Sequence, residues 1–476
     1  IRKMLELIEL EKEMTITNPS TGATIETLNE TSFDEASKLI NEAKNAQINW
    51  AQTPIKERAQ VFYKYLELLK NSKEELAKLV HLENGKTLSE SIAEIEKSIE
   101  LTEYACSLPQ IAKGDLLEVS KGVTCTTSYE PIGVVANIAP FNFPHMVPHW
   151  TAPNALMLGN AVILKPSEHV PLSAIKMKEM LLKAGLPKGL FQTVLGGKSM
   201  VELLCENPTI KAVSFVGSTP IAKIVYAKAS ASHKRCIALG GAKNHLIVMP
   251  DAHPEMTANN VIASMSGCAG QRCMAASVML AVGNCDNIIN LMVTEATKVI
   301  PNKTLGAVIS KFAKEKIENH ITLAEQQGAK ILVDGRDITV TGKENGHYVG
   351  PTIIDYVTSE MTIATEEVFG PVISIIRTDS IEAALQIENE NEFGNAAAIF
   401  TQSGSIANET IKSFSAGMVG VNVGVPVPRE PFSFAGWHDS KFGHGDITGD
   451  ASILFWTNLK KTTTKWNPES KTNWMS

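Results

Sequence analysis

The sequence lacks the features that mark partners of nucleic acids, membranes or the oxidising extracellular space. It has no block of Lys and Arg, and its formal net charge is -7, so neither a nucleic acid nor an anionic membrane surface is expected as a partner. Its seven cysteines are odd in number and scattered, which is no disulfide framework and suits a reducing compartment. The first residues, IRKMLELIELEKEM, contain no apolar signal core. We therefore expect a globular cytoplasmic protein.

Charged residues are absent from one long stretch, Pro131 to Leu164. A membrane-spanning helix needs about 20 predominantly apolar residues, so the stretch could suggest one. Five prolines interrupt it, however, and each removes a backbone donor. We expect buried strands and loops around an internal site instead.

The standard nucleotide motifs are also missing. ENGKT (83–87) ends in GKT, but a P-loop would have Gly at position 80, where this chain has Val. No GxGxxG occurs; only FVGSTPIAK (215–223) leads from a predicted strand into a helix N-terminus that could bind a pyrophosphate. HDSKFGHGD (438–446) has two His and two Asp at a spacing that matches no standard zinc pattern, so no metal site is predicted.

The spacing of apolar residues is typical of an α/β protein. Helical spacing dominates three segments of the first third, 33–52, 55–86 and 90–108. From 131 onward, short apolar runs alternate with helical segments, which predicts a doubly wound parallel sheet and then a second α/β region. Alternating segments near 118–130 and over 453–466 predict exposed strands, whose edges are available for subunit pairing.

Three short segments carry candidate chemistry. GCAGQRCMAAS (267–277) has two cysteines, Cys268 and Cys273, either of which could be a nucleophile or a small buried hydrophobe. Asn142 of FNFP could cap a turn or donate to a developing oxyanion. Glu366 and Glu367 of EEVFGPV could be surface charges, or one could hold a ribose diol. The residues alone leave these alternatives open.

Six motifs in chain order resemble the aldehyde dehydrogenase superfamily over essentially the whole length: APFNFP (139–144), LKPSE (164–168), FVGS (215–218), LGGAKN (239–244), GQRCMA (270–275) and EEVFGPV (366–372). Longer segments, such as ALGGAKNH and GCAGQRCMA, are similar to its CoA-acylating methylmalonate-semialdehyde dehydrogenase branch. The resemblance implies a Rossmann-type NAD-binding domain, an α/β catalytic domain and a small β oligomerisation arm in a homotetramer, a dimer of dimers. The implied boundaries are 1–117 and 131–239, 240–450, and 118–130 with 451–476.

The resemblance also implies roles for individual residues. Cys273 would be the nucleophile and Asn142 the oxyanion donor, while Cys268 would only pack. The implied cofactor-binding residues are Ala139, Phe141, Lys165, Glu168, His169, Ser218, Gly240, Glu367 and Phe369. Glu168 favours NAD over NADP, because a carboxylate accepts a hydrogen bond from a 2′-hydroxyl and repels a 2′-phosphate.

Two cations are implied as partners of the substrate carboxylate. Arg272 precedes the nucleophile and is also expected to favour its thiolate. Lys97 stands where the branch has Arg, and a lysine offers a point charge in place of a planar fork. Because of this departure, a semialdehyde related to methylmalonate semialdehyde is an alternative substrate.

The reaction implied is NAD-dependent oxidation of methylmalonate or malonate semialdehyde through a Cys273 thioester. The acyl group would pass to CoA and, with loss of CO₂, give propionyl-CoA or acetyl-CoA. Hydrolytic members carry a water-activating Glu where this chain has Ala238, which favours attack by CoA, since a few per cent of a thiol is already thiolate at neutral pH. The alternatives are a hydrolysing dehydrogenase that gives the free acid, and a non-catalytic relative that retains the fold.

Overall fold

The computed structural model describes residues 13–466. Its helices are α1 (Phe33–Gln52), α2 (Ile55–Asn71), α3 (Lys73–Asn84), α4 (Leu88–Ile111), α5 (Met146–Met157), α6 (Leu172–Lys183), α7 (Lys198–Glu206), α8 (Thr219–Ala231), α9 (Pro254–Ser266), α10 (Asp286–Ala296), α11 (Lys311–Gln326), α12 (Thr362–Thr365), α13 (Ile381–Asn389), α14 (Gly404–Ser413) and α15 (Ser452–Trp456). The helix predicted over 33–52 is confirmed, whereas 55–86 divides into two helices.

The strands are β1 (Glu13–Thr17), β2 (Thr24–Asn29), β3 (Leu116–Ser120), β4 (Val123–Pro131), β5 (Val134–Ile138), β6 (Ala161–Lys165), β7 (Phe191–Thr193), β8 (Ile210–Val216), β9 (Arg235–Leu239), β10 (Asn244–Val248), β11 (Ala276–Val282), β12 (Lys330–Val333), β13 (Thr352–Asp355), β14 (Val372–Thr378), β15 (Phe393–Gly394), β16 (Ala396–Phe400), β17 (Met418–Val421), β18 (Trp437–His438), β19 (Lys441–Phe442) and β20 (Thr457–Lys465). The buried strands expected in the charge-free stretch are confirmed as β5 and β6, whereas residues 146–157, expected to be loop, form helix α5.

The first large sheet has six strands in the order β19-β9-β8-β5-β6-β7. All its strands are parallel except β19, which pairs antiparallel with β9. The connection direction reverses at β5, between β6 and β8, and such a switch point opens a crevice outside the carboxyl ends of the strands. Every residue of β5 and β6 is buried, which is what a sheet covered by helices on both faces requires.

The second large sheet has seven strands in the order β12-β13-β14-β11-β10-β16-β17. Apart from the antiparallel edge strand β12, its neighbours run parallel. Because β14, β11 and β10 are adjacent and parallel, the loops that enter them lie at one edge of the sheet. Those loops are the segments 366–371, 267–275 and 240–243, so three of the sequence motifs converge there.

A three-stranded sheet, β20-β4-β3, is formed by the segments that are predicted to make an arm. Strand β20 pairs antiparallel with β4, from Thr457 opposite Pro131 to Lys465 opposite Val123. The strand predicted over 453–466 is wrong at its start, because 453–456 belong to helix α15, where Trp456 is fully buried. Within 13–466 no helix has the length and apolarity needed to cross a membrane.

Candidate active site

A cavity of about 540 Å³ lies where the two large sheets face each other. Its lining includes ten of the residues singled out in the sequence: Ala139, Phe141, Asn142, Lys165, Glu168, Ser218, Gly240, Cys273, Glu367 and Phe369. We call the part around Lys165, Glu168 and Ser218 the cofactor end, and the part around Asn142 and Cys273 the thiol end. His169, Arg272 and Lys97 lie outside the lining.

The cofactor end is formed by the carboxyl ends of parallel strands. Lys165 is the last residue of β6, and its ammonium lies 2.9 Å from the carboxylate of Glu168. Strand β8 continues through Ser218 into α8, whose N-cap makes no side-chain hydrogen bond. The N–H groups of that first turn are therefore available to an anionic ligand, which the partial positive charge of a helix N-terminus also attracts.

Gly240 is needed for space at the junction of the two sheets. A Cβ there would lie 2.5 Å from the Thr219 hydroxyl and 2.7 Å from the Asp439 carbonyl. His169, by contrast, is exposed next to Glu168 and does not reach the cavity.

The loop that carries Cys273 begins with an unusual turn. Cys268 and Ala269 have φ near +53°, and Gly270 follows at +71°. A Cβ at Gly270 would lie 2.0 Å from the Gly370 carbonyl, so only glycine allows the two loops to meet. The carboxylate of Glu90 accepts the Cys268 N–H at 2.6 Å and holds the strained turn. Cys268 is buried within it, whereas Cys273 faces the cavity.

The backbone of Cys273 is held by two side-chain amides, one at the start of β10 and one in the residue before β16. Its carbonyl accepts from the Nδ2 atoms of Asn244 and Asn395, both at 2.8 Å. Burial, and then the Glu367 carboxylate, raise the pKa of the Cys273 thiol to about 12, and neighbouring backbone N–H groups and Arg272 offset this only in part. Arg272 lowers the pKa of the thiol, as expected, but desolvation of the anion has the larger effect, so the net shift is upward.

Asn142 brings its side chain to the same loop. Its Nδ2 atom donates to the carbonyl of Gln271 at 2.9 Å, and the side chain is almost fully buried. A primary amide has two N–H donors, so one remains for a ligand atom beside Cys273.

The two adjacent glutamates have different surroundings. Glu366 is exposed and lies 3.2 Å from His320, so it is a surface charge. Glu367 is partly buried, accepts the N–H of Ala242 at 2.9 Å, and has its pKa raised by desolvation. Next to it, Phe369 meets the Phe141 ring edge-on at a centroid distance of 5.8 Å.

Both expected carboxylate partners are occupied by other groups. The Arg272 guanidinium donates to the carbonyls of Ala263 and Ser264 at 2.8 and 2.9 Å, at the C-terminal end of α9. The Lys97 ammonium lies 2.7 Å from Glu430 and 3.1 Å from Glu100. Neither cation is presented freely to the cavity.

Two lysines near the site were not predicted. Lys243 is buried and donates to the Glu366 carbonyl at 2.8 Å, and burial lowers its pKa to about 7. Lys316, on α11, lines the cavity and donates to the Glu367 carbonyl at 3.3 Å. Lys243 lies inside a quoted motif, but no spacing marks a lysine as buried, and α11 has an ordinary amphipathic pattern. The described part of the chain has no group of three potential metal ligands.

This fold and this pairing of a cavity-facing cysteine with an amide define a class. The chain belongs to the aldehyde dehydrogenase family, because the sequence model of that family matches residues 8–462. The resemblance seen in the motifs is thereby confirmed.

Individual relatives are more specific. The chain is 40% identical to a malonate-semialdehyde dehydrogenase of Halalkalibacterium halodurans, over 96% of this chain and 95% of that protein. It is 41% identical to one from Pseudomonas aeruginosa, over 94% and 92%. The crystal structure of methylmalonate-semialdehyde dehydrogenase from Oceanimonas doudoroffii superposes with a TM-score of 0.95 at 40% identity, over 97% and 96%. A Sinorhizobium meliloti 1021 protein with the same assignment, crystallised with NAD, has a TM-score of 0.95 at 39% identity, over 98% and 96%.

Proposed function

We propose that the protein is an NAD-dependent, CoA-acylating dehydrogenase of malonate or methylmalonate semialdehyde, and that it forms acetyl-CoA or propionyl-CoA with release of CO₂. The observation that carries the proposal is the thiol end itself: the cavity-facing Cys273 lies beside the Asn142 amide, and position 238 offers no base. Ala238 is fully buried in β9. The named substrates of the relatives support the choice of semialdehyde.

In this proposal the Cys273 sulfur adds to the aldehyde carbon. The free N–H of Asn142 and the backbone N–H of Cys273 stabilise the oxyanion, and one such donor contributes about 2.7–4 kcal/mol to the transition state. When bound, NAD supplies the hydride acceptor. Oxidation leaves the acyl group on Cys273 as a thioester, so acyl transfer becomes a separate step.

The cofactor end offers groups that fit a dinucleotide. Lys165 and Glu168 are placed for the adenosine ribose, and the first turn of α8 after Ser218 for the pyrophosphate. Glu367, with Phe369 beside it, is placed for the nicotinamide ribose. The cavity lining also includes Ala139, Phe141 and Gly240, which would contact the cofactor. The Glu168 carboxylate again favours NAD over NADP.

The second step is attack of CoA on the thioester. Water needs a base to attack at a useful rate, and the side chain at Ala238 can accept no proton. CoA is a thiol with an accessible thiolate at neutral pH, so it needs less help. This difference is the reason to prefer acyl transfer over hydrolysis to the free acid.

For the substrate carboxylate, the candidates remain Arg272 and Lys97. Glu430 is 13% exposed and already neutralises Lys97, so a substrate carboxylate would have to compete with it. Because a like charge beside the substrate lowers its affinity, we expect weak selection for the acidic group in this chain.

We also propose a homotetramer located in the cytoplasm. Leu116 and Leu117 are exposed on β3, an edge strand of the arm, and such an edge is a template for pairing with another copy. All seven cysteines are free thiols, in keeping with a reducing compartment. Light scattering of the purified protein measures the assembly directly; a monomeric mass would refute this part of the proposal.

The decisive experiment is an assay of malonate and methylmalonate semialdehyde with NAD, with and without CoA. We expect the steady-state rate of NADH formation to depend on CoA. One acetyl-CoA or propionyl-CoA should accumulate for each NADH that is formed. An unchanged steady-state rate without CoA, with free acid as product, would favour the hydrolysing alternative. A protein that forms no NADH with any aldehyde would support the non-catalytic alternative.

A further inference from the structure

A buried ion pair lies beneath the loop that carries Asn142. The ammonium of Lys86 and the carboxylate of Glu94 are 2.6 Å apart, and their side chains are 1% and 0% exposed. Taking two charges out of water is costly, and a buried pair often contributes no more stability than two apolar residues. The role of this pair is therefore to be sought in the groups that it orients.

Both members of the pair bind the same segment of backbone. The Lys86 Nζ atom also donates to the carbonyl of Asn142 at 2.7 Å. The second oxygen of Glu94 accepts the N–H groups of His145 and Met146 at 2.8 and 3.0 Å. One buried pair thus fixes peptide groups on both sides of the turn between Asn142 and helix α5.

Neighbouring side chains strengthen the same arrangement. Lys86 lies 4.2 Å above the ring of Phe143, and Asn84, two residues earlier, donates to the Phe141 carbonyl at 2.8 Å. Glu90, one turn before Glu94 on α4, holds the Cys268 N–H of the cysteine loop. The start of α4 and the ENGK segment therefore hold both loops of the thiol end.

We propose that Lys86 is a positioning residue for the reaction. With Glu94 it fixes the peptide carbonyl of Asn142, so that the side-chain amide is directed at the oxyanion on Cys273. The inference rests on the proposed function and assigns a role to ENGKT that is unrelated to phosphate. Since a misplacement of about 1 Å can cost 100-fold in rate, a group that holds this backbone can control kcat without touching the substrate.

The test uses the intact protein with Lys86→Met and a matched control, Lys234→Met. Lys234 is another buried lysine that donates to backbone carbonyls, including that of Ile210 at 2.9 Å, but it lies away from Asn142. We expect Lys86→Met to lower kcat for NADH formation by about 100-fold while KM for NAD changes less than about two-fold. Lys234→Met should lower only the melting temperature.

A double-mutant cycle shows whether Lys86 acts through Asn142. In the Asn142→Ala background, Lys86→Met should change kcat less than about two-fold, because the group that it orients is gone. If the two effects multiply, or if Lys86→Met alone leaves kcat unchanged, the inference is refuted. If Lys86→Met does not fold, Glu94→Gln, which keeps the size and removes only the charge, replaces it in the same cycle with the same criteria.

The outcomes also separate this inference from the proposed function. Failure of the wild-type protein to form NADH from semialdehydes refutes the function. A large loss in Asn142→Ala together with no effect of Lys86→Met or Glu94→Gln refutes only the positioning role.

Discussion

The two ends of the cavity are built by different means. At the cofactor end, the groups that line the wall follow directly from strand ends of one parallel sheet, as Lys165 does from β6 and Ser218 from β8. At the thiol end, the Asn142 and Cys273 loops are held by side chains from other parts of the chain, chiefly the partly buried Glu90 and the buried Glu94. The positions of the groups at the cofactor end follow from the sheet topology, whereas the thiol end requires a network of long-range hydrogen bonds.

This difference predicts which kinetic constant each variant changes. Changes at the thiol end should lower kcat and spare cofactor binding, because they disturb the reacting atoms. Changes at the cofactor end should raise KM for NAD. The following expectations test this division.

The largest effect is expected for Cys273→Ser. The alcohol is a much weaker nucleophile, so activity should fall by about 1,000-fold or more. NAD binding should persist, measured by quenching of the tryptophan fluorescence, to which Trp150 in the cavity lining contributes. Cys268→Ala, in the same loop but buried, is the matched control and should stay active. Equal losses in both variants would contradict the assignment of the nucleophile.

Asn142→Ala should lower kcat by about 100- to 1,000-fold through loss of one oxyanion donor. KM for NAD should stay within a factor of about two, since the amide lies at the thiol end. Single-turnover measurement of NADH formation checks this, because it isolates the oxidation step. A change confined to KM would show that Asn142 belongs to binding.

The pH dependence of alkylation tests the state of the sulfur. Only the thiolate reacts with iodoacetamide, and burial raises the pKa of Cys273 to about 12, so the thiol form dominates at neutral pH. Raising the pH from 7 to 9 should therefore increase the labelling rate about 100-fold, ten-fold for each unit. Labelling at Cys273 is followed by mass spectrometry. A plateau below pH 9 would show a lower pKa.

Glu367→Gln tests the place where the two ends meet. The amide can still accept the Ala242 N–H, but the charge-assisted bond to a ribose is lost, so KM for NAD should rise about ten-fold. The pKa of Cys273 should fall at the same time, because the carboxylate that raises it is gone. Glu366→Gln, at the exposed neighbour, is the control and should change neither KM nor the labelling rate.

The smallest effect is expected for Glu430→Gln. This carboxylate lies 2.7 Å from the Lys97 ammonium, and its loss leaves Glu100, at 3.1 Å, as the carboxylate that still competes with a substrate for Lys97. KM for malonate semialdehyde should fall about two- to five-fold, the size of a partly exposed ion pair, and KM for propanal should not change. Parallel changes for both aldehydes would mean that Glu430 acts only on structure.

Much of the architecture could be predicted from local pattern. The helical spacing of 33–52 and the strand–helix alternation after 131 appear in the structure, because amphipathic period and burial are encoded locally. The segment 453–466 is less predictable: its first four residues, ILFW, are a short apolar run that the strand prediction included, yet they form the end of helix α15, with Trp456 packed into the core.

The candidate site was predictable where a motif marks it. Cys273, Asn142 and the residues of the cofactor end line one cavity. The pairing of Lys97 with Glu430 was not predictable, since the two residues are more than 300 positions apart. The net direction of the pKa shift of the Cys273 thiol was also not predictable from the sequence, because desolvation depends on the folded surroundings.

The amino-acid sequence by itself determined the class of the protein and much of the α/β alternation, and it marked the candidate residues of the site, because these depend on local periodicity and on motifs. Only the tertiary structure decided that Glu367 faces the cavity while Glu366 faces solvent, and that Lys86 and Glu94 support the Asn142 loop. It also decided that Arg272 donates to carbonyls at the end of α9 and that Lys97 is paired with Glu430. The physical reason is that burial and pairing of charges are properties of the packed whole, formed by groups that lie far apart along the chain.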